Sequence, residues 1–236
     1  MIMDHGIADP REGNEGAPLG LASGRLDRRS FLFGSAASLG ALGLAGCATS
    51  DGMIPADMMA LYGPAPNEKF PIPAVDLRKV DPKYWRRTVR YDSKEAPGTI
   101  IIDPANYYVY RVEGDGNATR YGANVSRPGF LWNGEAYVGR KAEWPTWTPP
   151  KEMIARQPEA RKYAGGMPGG LENPLGARVL YLYQNGRYTV CTIYSTSDPG
   201  TIGAGVTSGC TGLLSQDMIH LYSRTPIKTK VLVLPA

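Results

Sequence analysis

Three cysteines, Cys47, Cys191 and Cys210, are the thiols available for nucleophilic chemistry in this 236-residue chain, and two histidines, His5 and His220, are the only imidazoles that could assist them. Cys210 stands out. It sits in Ser208-Gly209-Cys210-Thr211-Gly212, a glycine-bracketed loop followed directly by a helical pattern. Backbone N–H groups in such a loop can steady a thiolate and then the oxyanion of an attacked carbonyl, which acyl transfer by sulfur requires. The small flanking residues leave room for a carbonyl to approach. A free cysteine in a strand-rich domain has a competing reading as buried filler, and the tripeptide alone does not decide between the two.

Neither histidine reads as a partner for this sulfur. His5 lies in a polar leader, and His220 lies ten residues beyond Cys210. At ~1.5 Å per helical residue its ring would have to reach back roughly ten Ångström, so it reads as a surface residue. Cys191 has two readings, a disulfide partner for Cys210 in an oxidising compartment or a buried thiol. If Tyr194 faces the site, strand alternation sends Cys191 to the opposite face, which favours the buried thiol. Nothing in the spacing implies a metal or a cofactor, and three cysteines cannot build a dense disulfide framework.

The elements that must position Cys210 are mostly strands. Stretches rich in Val, Ile and Tyr occur at 86–92, 99–103, 107–113, 118–125, 178–183, 188–194 and 230–235, separated by DPAN, EGDGN, QNG and SDPG turns. Two helices are predicted. One is PPKEMIARQ, with Pro150 suited to a first turn and Pro158 ending it; the other begins near Leu214 with Ser215 as its cap and puts Leu214, Met218 and Leu221 on one face. The pattern is that of a mainly β (α+β) domain over 85–236, a sandwich or open barrel with a helix after the cysteine loop. Residues 47–84, rich in Pro, Ala and Met and including GPAPNEKFPIP, read as a tether. The small basic excess of +4 contains no block of like charges, which argues against a nucleic-acid partner.

Residues 1–46 read as an address. Asp27-Arg28-Arg29-Ser30-Phe31-Leu32 has the twin-arginine export pattern, and the apolar run after it stops at Leu44-Ala45-Gly46-Cys47. That run is shorter than the ~20 residues a membrane span needs. The tetrapeptide resembles a lipobox, which makes Cys47 the lipidation site and the mature N-terminus; the rival reading is plain secretory cleavage near Ala48. The expected location is the periplasm, membrane-anchored by lipid on Cys47. Ala48 in place of Asp favours the outer membrane, by resemblance to sorted lipoproteins.

From about Trp85 to Pro235 the chain resembles an L,D-transpeptidase catalytic domain of the YkuD type. The resemblance rests on TIIIDPANYYVYRVEGDG, GEAYVGRKAEWPTWTPPKEMIARQPE, NPLGARVLYLY and the Ser-Gly-Cys loop with its following helix. It implies a peptidoglycan enzyme that takes the acyl group of a stem tetrapeptide onto a cysteine and passes it to an amine. That amine belongs to another stem, giving a 3–3 cross-link, or to a protein, an outer-membrane protein being one such acceptor. By this resemblance Cys210 is the nucleophile and the Gly209 and Cys210 backbone amides are oxyanion donors. Ser195 belongs to the same catalytic stretch. Trp144, Trp147, Asn173, Gly176 and Ser208 shape the stem-peptide groove, although the two tryptophans read equally well as a packed loop cover.

Two positions depart from the family pattern. Tyr194 stands sixteen residues before Cys210, where the family carries its thiolate-forming His, and Gly212 stands where an Arg is usual. An unassisted thiol with a pKa of ~8.5 is still a few per cent thiolate near neutrality, but a positioned acid–base group contributes typically ~10² to 10⁴ in rate. Function therefore divides between a slow or specialised transpeptidase and a non-catalytic domain that binds peptidoglycan or an envelope partner. Tyr194→His with Gly212→Arg is expected to raise activity.

Overall fold

The computed structural model describes residues 53–128, 132–156 and 158–236; the arginine pair and Cys47 lie outside the described residues. The described residues form ten strands: β1 Arg87–Arg90, β2 Ile100–Asp103, β3 Tyr108–Gly114, β4 Asn117–Ser126, β5 Gly134–Glu143, β6 Arg178–Gln184, β7 Arg187–Thr196, β8 Gly205–Thr207, β9 Thr211–Leu214 and β10 Lys230–Val233. The helices are α1 Ala56–Leu61, α2 Lys151–Arg156 and α3 Ser215–Ser223.

The sheet runs β4-β3-β2-β10-β5-β6-β7-β9 and returns to β4, because Ala123 and Asn124 of β4 pair with Leu213 and Gly212 of β9. Eight strands therefore close a barrel, with β1 and β8 paired onto β4 outside the ring. The mainly β expectation holds, and the closure comes from β4, which is long enough to pair with β3 along its first half and β9 farther on. Alternation then sorts the side chains. Ile100, Ile102, Val109, Tyr121, Ala123, Val125, Leu180, Leu182, Cys191, Ile193, Leu213 and Val231 form one buried cluster, which Met218 and Leu221 of α3 join. Their strand neighbours Asn124, Tyr194 and Gly212 consequently point to the outside of the barrel.

Of the segment read as a tether, 47–84, the described part from residue 53 on packs into the domain. Tyr62, Leu77, Val80, Tyr84 and Trp85 form a second buried cluster with Ile202 and Leu214. Polar bonds fix the segment as well. The Tyr62 hydroxyl donates to Asp217 Oδ2 at 3.0 Å, and Gln216 Nε2 donates to the carbonyls of Gly63 and Pro73. Glu68 takes two bonds from the Arg178 guanidinium, at 2.7 and 2.8 Å. Low hydrophobic periodicity hid this strap, because it uses isolated anchors rather than a repeating face. The cap of α3 also differs from expectation. Ser215 is the first helical residue, Leu214 precedes it, and no side chain caps the helix.

Candidate active site

The site lies where β7, β9 and β4 run side by side on the outer face of the barrel. In the parallel β7/β9 ladder Tyr194 is level with Gly212, and Gly212 is level with Asn124 of β4 on its other side. Cys210 is two residues before Gly212, one strand repeat or about 7 Å away. It is a free, half-buried thiol whose Sγ lies 3.9 Å from the Val190 carbonyl. A bulge in β7 delivers that carbonyl. The register shifts opposite Tyr181–Tyr183, and Val190 takes φ +67° with its side chain 70% exposed, an unusual conformation for a β-branched residue.

The loop carrying Cys210 is laced to the end of β4. Gly209 N donates to Ser126 Oγ at 2.8 Å, Arg127 Nη2 donates to Ser208 Oγ at 2.9 Å, and the Arg127 amide donates to the Thr207 carbonyl. Thr207 Oγ1 closes the turn onto the Cys210 carbonyl at 2.5 Å. The Gly209 amide, expected as an oxyanion donor, is thus already engaged by Ser126. The Tyr194 hydroxyl donates to Asn124 Oδ1 at 3.4 Å. Burial and then the nearby Cys210 push this phenol up to about 12, so it stays a neutral donor across the physiological range. Tyr188 is raised too, by burial first and by Cys210 second.

The other residues singled out in the sequence divide sharply. Ser195 is fully buried on the opposite side of β7 from Tyr194, where its Oγ accepts from the Arg178 amide; its role is to tie β7 to β6. Asn173, also fully buried, donates to the carbonyls of Pro145, Met167 and Pro168 and accepts from the Leu175 amide. It holds the 144–176 loop together and has no group left for a ligand. Trp144 packs edge-on against Phe70 and donates to Glu68, and Trp147 pairs its backbone with Met167 beside Tyr163. Both tryptophans therefore serve as loop cover. Gly176 has φ +57°, and a Cβ there would lie 2.5 Å from the Ser195 carbonyl, so glycine is needed for close approach.

Trp144 and Gly176 do border a cavity of about 380 Å³, together with Ile72, Val75, Thr196 and Gln216, but Cys210 is not among its lining residues. His220 is away from the sulfur as well. Its Nδ1 is 2.8 Å from the Tyr121 hydroxyl and its Nε2 is 3.3 Å from Arg224 Nη1. A guanidinium only donates, so Nε2 accepts and Nδ1–H donates to Tyr121. Cys191 is buried, receives the Trp132 indole N–H at 2.8 Å and has its thiol pushed up by burial. The buried-thiol reading of the sequence therefore stands. Among the described residues no cluster of His, Cys, Asp and Glu could hold a metal ion.

The family model for the L,D-transpeptidase catalytic domain, YkuD, matches residues 97–233. The chain belongs to this family. A putative L,D-transpeptidase of Fuscovulum blasticum is 32% identical over 101 residues, covering 43% of this chain and 49% of the relative. The probable L,D-transpeptidase YbiS of Escherichia coli K12 is 35% identical over 95 residues, 40% of this chain and 29% of its own. The chain thus spans about half or less of these curated relatives. Among solved structures, an L,D-transpeptidase from Mycobacterium smegmatis shares 17% identity over 59% of each chain, with a TM-score of 0.42. A Brucella melitensis structure described as a probable carnitine operon oxidoreductase shares 39% over 67% of this chain and 99% of its own, with a TM-score of 0.46.

Within this L,D-transpeptidase domain two residues of the site escaped the sequence reading, Asn124 and Ser126. A signal for them exists. Both are polar side chains on the outward phase of a strand, 118–126, whose other phase is Tyr121, Ala123 and Val125.

Proposed function

We propose that this protein is a slow peptidoglycan L,D-transpeptidase in which Cys210 carries the acyl group and the Tyr194 phenol replaces the family imidazole. The observation that supports it is a half-exposed thiol in the family's cysteine loop, with a neutral phenol on the neighbouring strand. The sulfur, as thiolate, attacks the carbonyl between the third and fourth stem residues and the carbonyl electrons move onto oxygen. Tyr194 donates a hydrogen bond to that oxyanion without losing its proton. Collapse breaks the C–N bond, and the departing amine takes a proton from solvent. The acceptor amine then attacks the thioester, an N–C bond forms, the nitrogen gives up a proton to solvent, and the C–S bond breaks to return the thiolate. Without a positioned imidazole the rate falls by about 10² to 10⁴ relative to a His-assisted site.

A second reading also has support. Among the described residues no imidazole borders Cys210, and the Gly209 amide is bound to Ser126, which suits a domain that binds stem peptides without turnover. Mass spectrometry of Cys210 with a stem tetrapeptide or a carbapenem separates the two. Acylation that is lost in Cys210→Ala supports the enzyme, and an unmodified parent after prolonged incubation supports the binding domain. Export by the twin-arginine route and a lipid on Cys47 complete the proposal, placing the domain in the periplasm with stem peptides and an envelope amine as partners.

A further inference from the structure

Tyr194 and Gly212, the two departures from the family pattern, are adjacent in the β7/β9 ladder, and both touch Asn124. Asn124 is 1% exposed with both polar side-chain atoms bonded. Its Oδ1 accepts from the Gly212 amide at 2.8 Å and from Tyr194 at 3.4 Å, and its Nδ2 donates to Thr201 Oγ1 at 2.8 Å. The Tyr194 ring reaches Asn124 across the strand that separates them, over a position with no side chain. A Cβ on Gly212 would lie 2.3 Å from Asn124 Oδ1 and 2.9 Å from its Cγ and Nδ2. Gly212 is not among the residues with positive φ, so it is the volume taken by Asn124 that requires glycine here.

We infer that Tyr194, Gly212 and Asn124 form one three-strand unit in which Asn124 is a positioning residue, holding the Tyr194 hydroxyl over Gly212 and beside Cys210. This rests on the acyl-transfer reading of the site. The missing Arg is then no separate loss. A side chain at 212 collides with Asn124, so Gly212→Arg adds nothing to the parent or to Tyr194→His until Asn124 is shortened, and the gain expected of the double variant has to come from the histidine alone. The long Tyr194–Asn124 bond also suits the role, because a weak bond is easily exchanged for one to an oxyanion.

Two double-mutant cycles on the full chain test the unit. Acylation of Cys210 by a carbapenem, followed by mass spectrometry, is expected to slow about tenfold in Asn124→Ala and in Tyr194→Phe, and no further in the double variant. Asn124→Asp, which keeps an acceptor for both donors, is expected to regain most of the rate. In thermal melts Gly212→Ala should lower Tm in the parent but have little effect in Asn124→Ala. Multiplying rate losses, or an equal Gly212→Ala penalty in both backgrounds, overturns the inference. A parent that is not acylated sinks the acyl-transfer reading, and the melting cycle still decides whether Asn124 and Gly212 are coupled.

Discussion

Asp217 and His220 stand one turn apart on α3, and their protonation acts on stability in opposite directions over the same pH range. Asp217 is fully buried between the Tyr62 hydroxyl and the Arg86 guanidinium, which is 3.3 Å away; burial outweighs both and pushes the carboxyl up to about 7. Folded protein therefore binds this proton more tightly than unfolded chain, so stability rises as pH falls from about 7 to about 4. His220 is pushed down to about 4, by burial first and then by Arg86 and Arg224. Its contribution is present above about 6.5 and lost as pH falls towards 4. At about 1.4 kcal/mol per unit, Asp217 supplies on the order of 4 kcal/mol, and the partly exposed His220, discounted for solvent screening, about 2. In the parent the histidine offsets about half of the carboxyl's contribution. Asp217→Asn loses the carboxyl term and leaves the histidine term unopposed, so that relative to the parent's change acidification from pH 7.5 to 4.5 lowers its Tm by about 8–16 °C. His220→Asn should show the reverse. Thermal unfolding followed by circular dichroism at pH 7.5, 6.0 and 4.5 reads both, and the shared surface carboxylates cancel in the comparison. Parallel Tm-against-pH curves for parent and both variants would refute the assignment.

Further predictions follow from the strap and the leader. Glu68→Ala leaves the Arg178 guanidinium, 9% exposed, with only the more distant and exposed Glu143 carboxylate at 3.7 Å, and should cost about 3 kcal/mol in chemical denaturation. A chain beginning at residue 85 loses Tyr62 and Leu77 from a buried cluster, so limited proteolysis should degrade it under conditions that spare the full domain. Metabolic labelling with a fatty acid should mark the parent and not Cys47→Ser; an unlabelled parent would leave plain secretion. Export continuing at parental level in Arg28→Lys with Arg29→Lys would remove the twin-arginine route.

Six of the seven strands legible in the sequence are those whose apolar runs feed the barrel interior, as in Ile100–Asp103 and Arg178–Gln184, and the seventh, β1, lies outside the ring and was legible from its alternation. β5 was invisible because Gly134–Glu143 is studded with charges and buries few of its residues. β9 was hidden by its four-residue length inside the cysteine loop. At the site, Cys210 and Tyr194 could be found from spacing, since one loop and one strand fix them. Asn124 could not, because its contacts with Tyr194 and Gly212 cross 70 and 88 positions of chain. The packing role of Asn173 was hidden for a related reason. A polar residue in a proline-rich loop looks available for a ligand until the three carbonyls around it are seen.

Closure of the ring through β4 and β9 has a consequence for how large partners can approach. Among the described residues the strands with an unpaired side are the two that hang from β4, β1 and β8, of four and three residues. β1 begins and ends on Arg87 and Arg90, both exposed, and short charged edges of this kind resist the addition of a foreign strand. An extended peptide therefore finds little to zip onto by backbone pairing. The same short edges keep neighbouring copies from sticking together along their sheets.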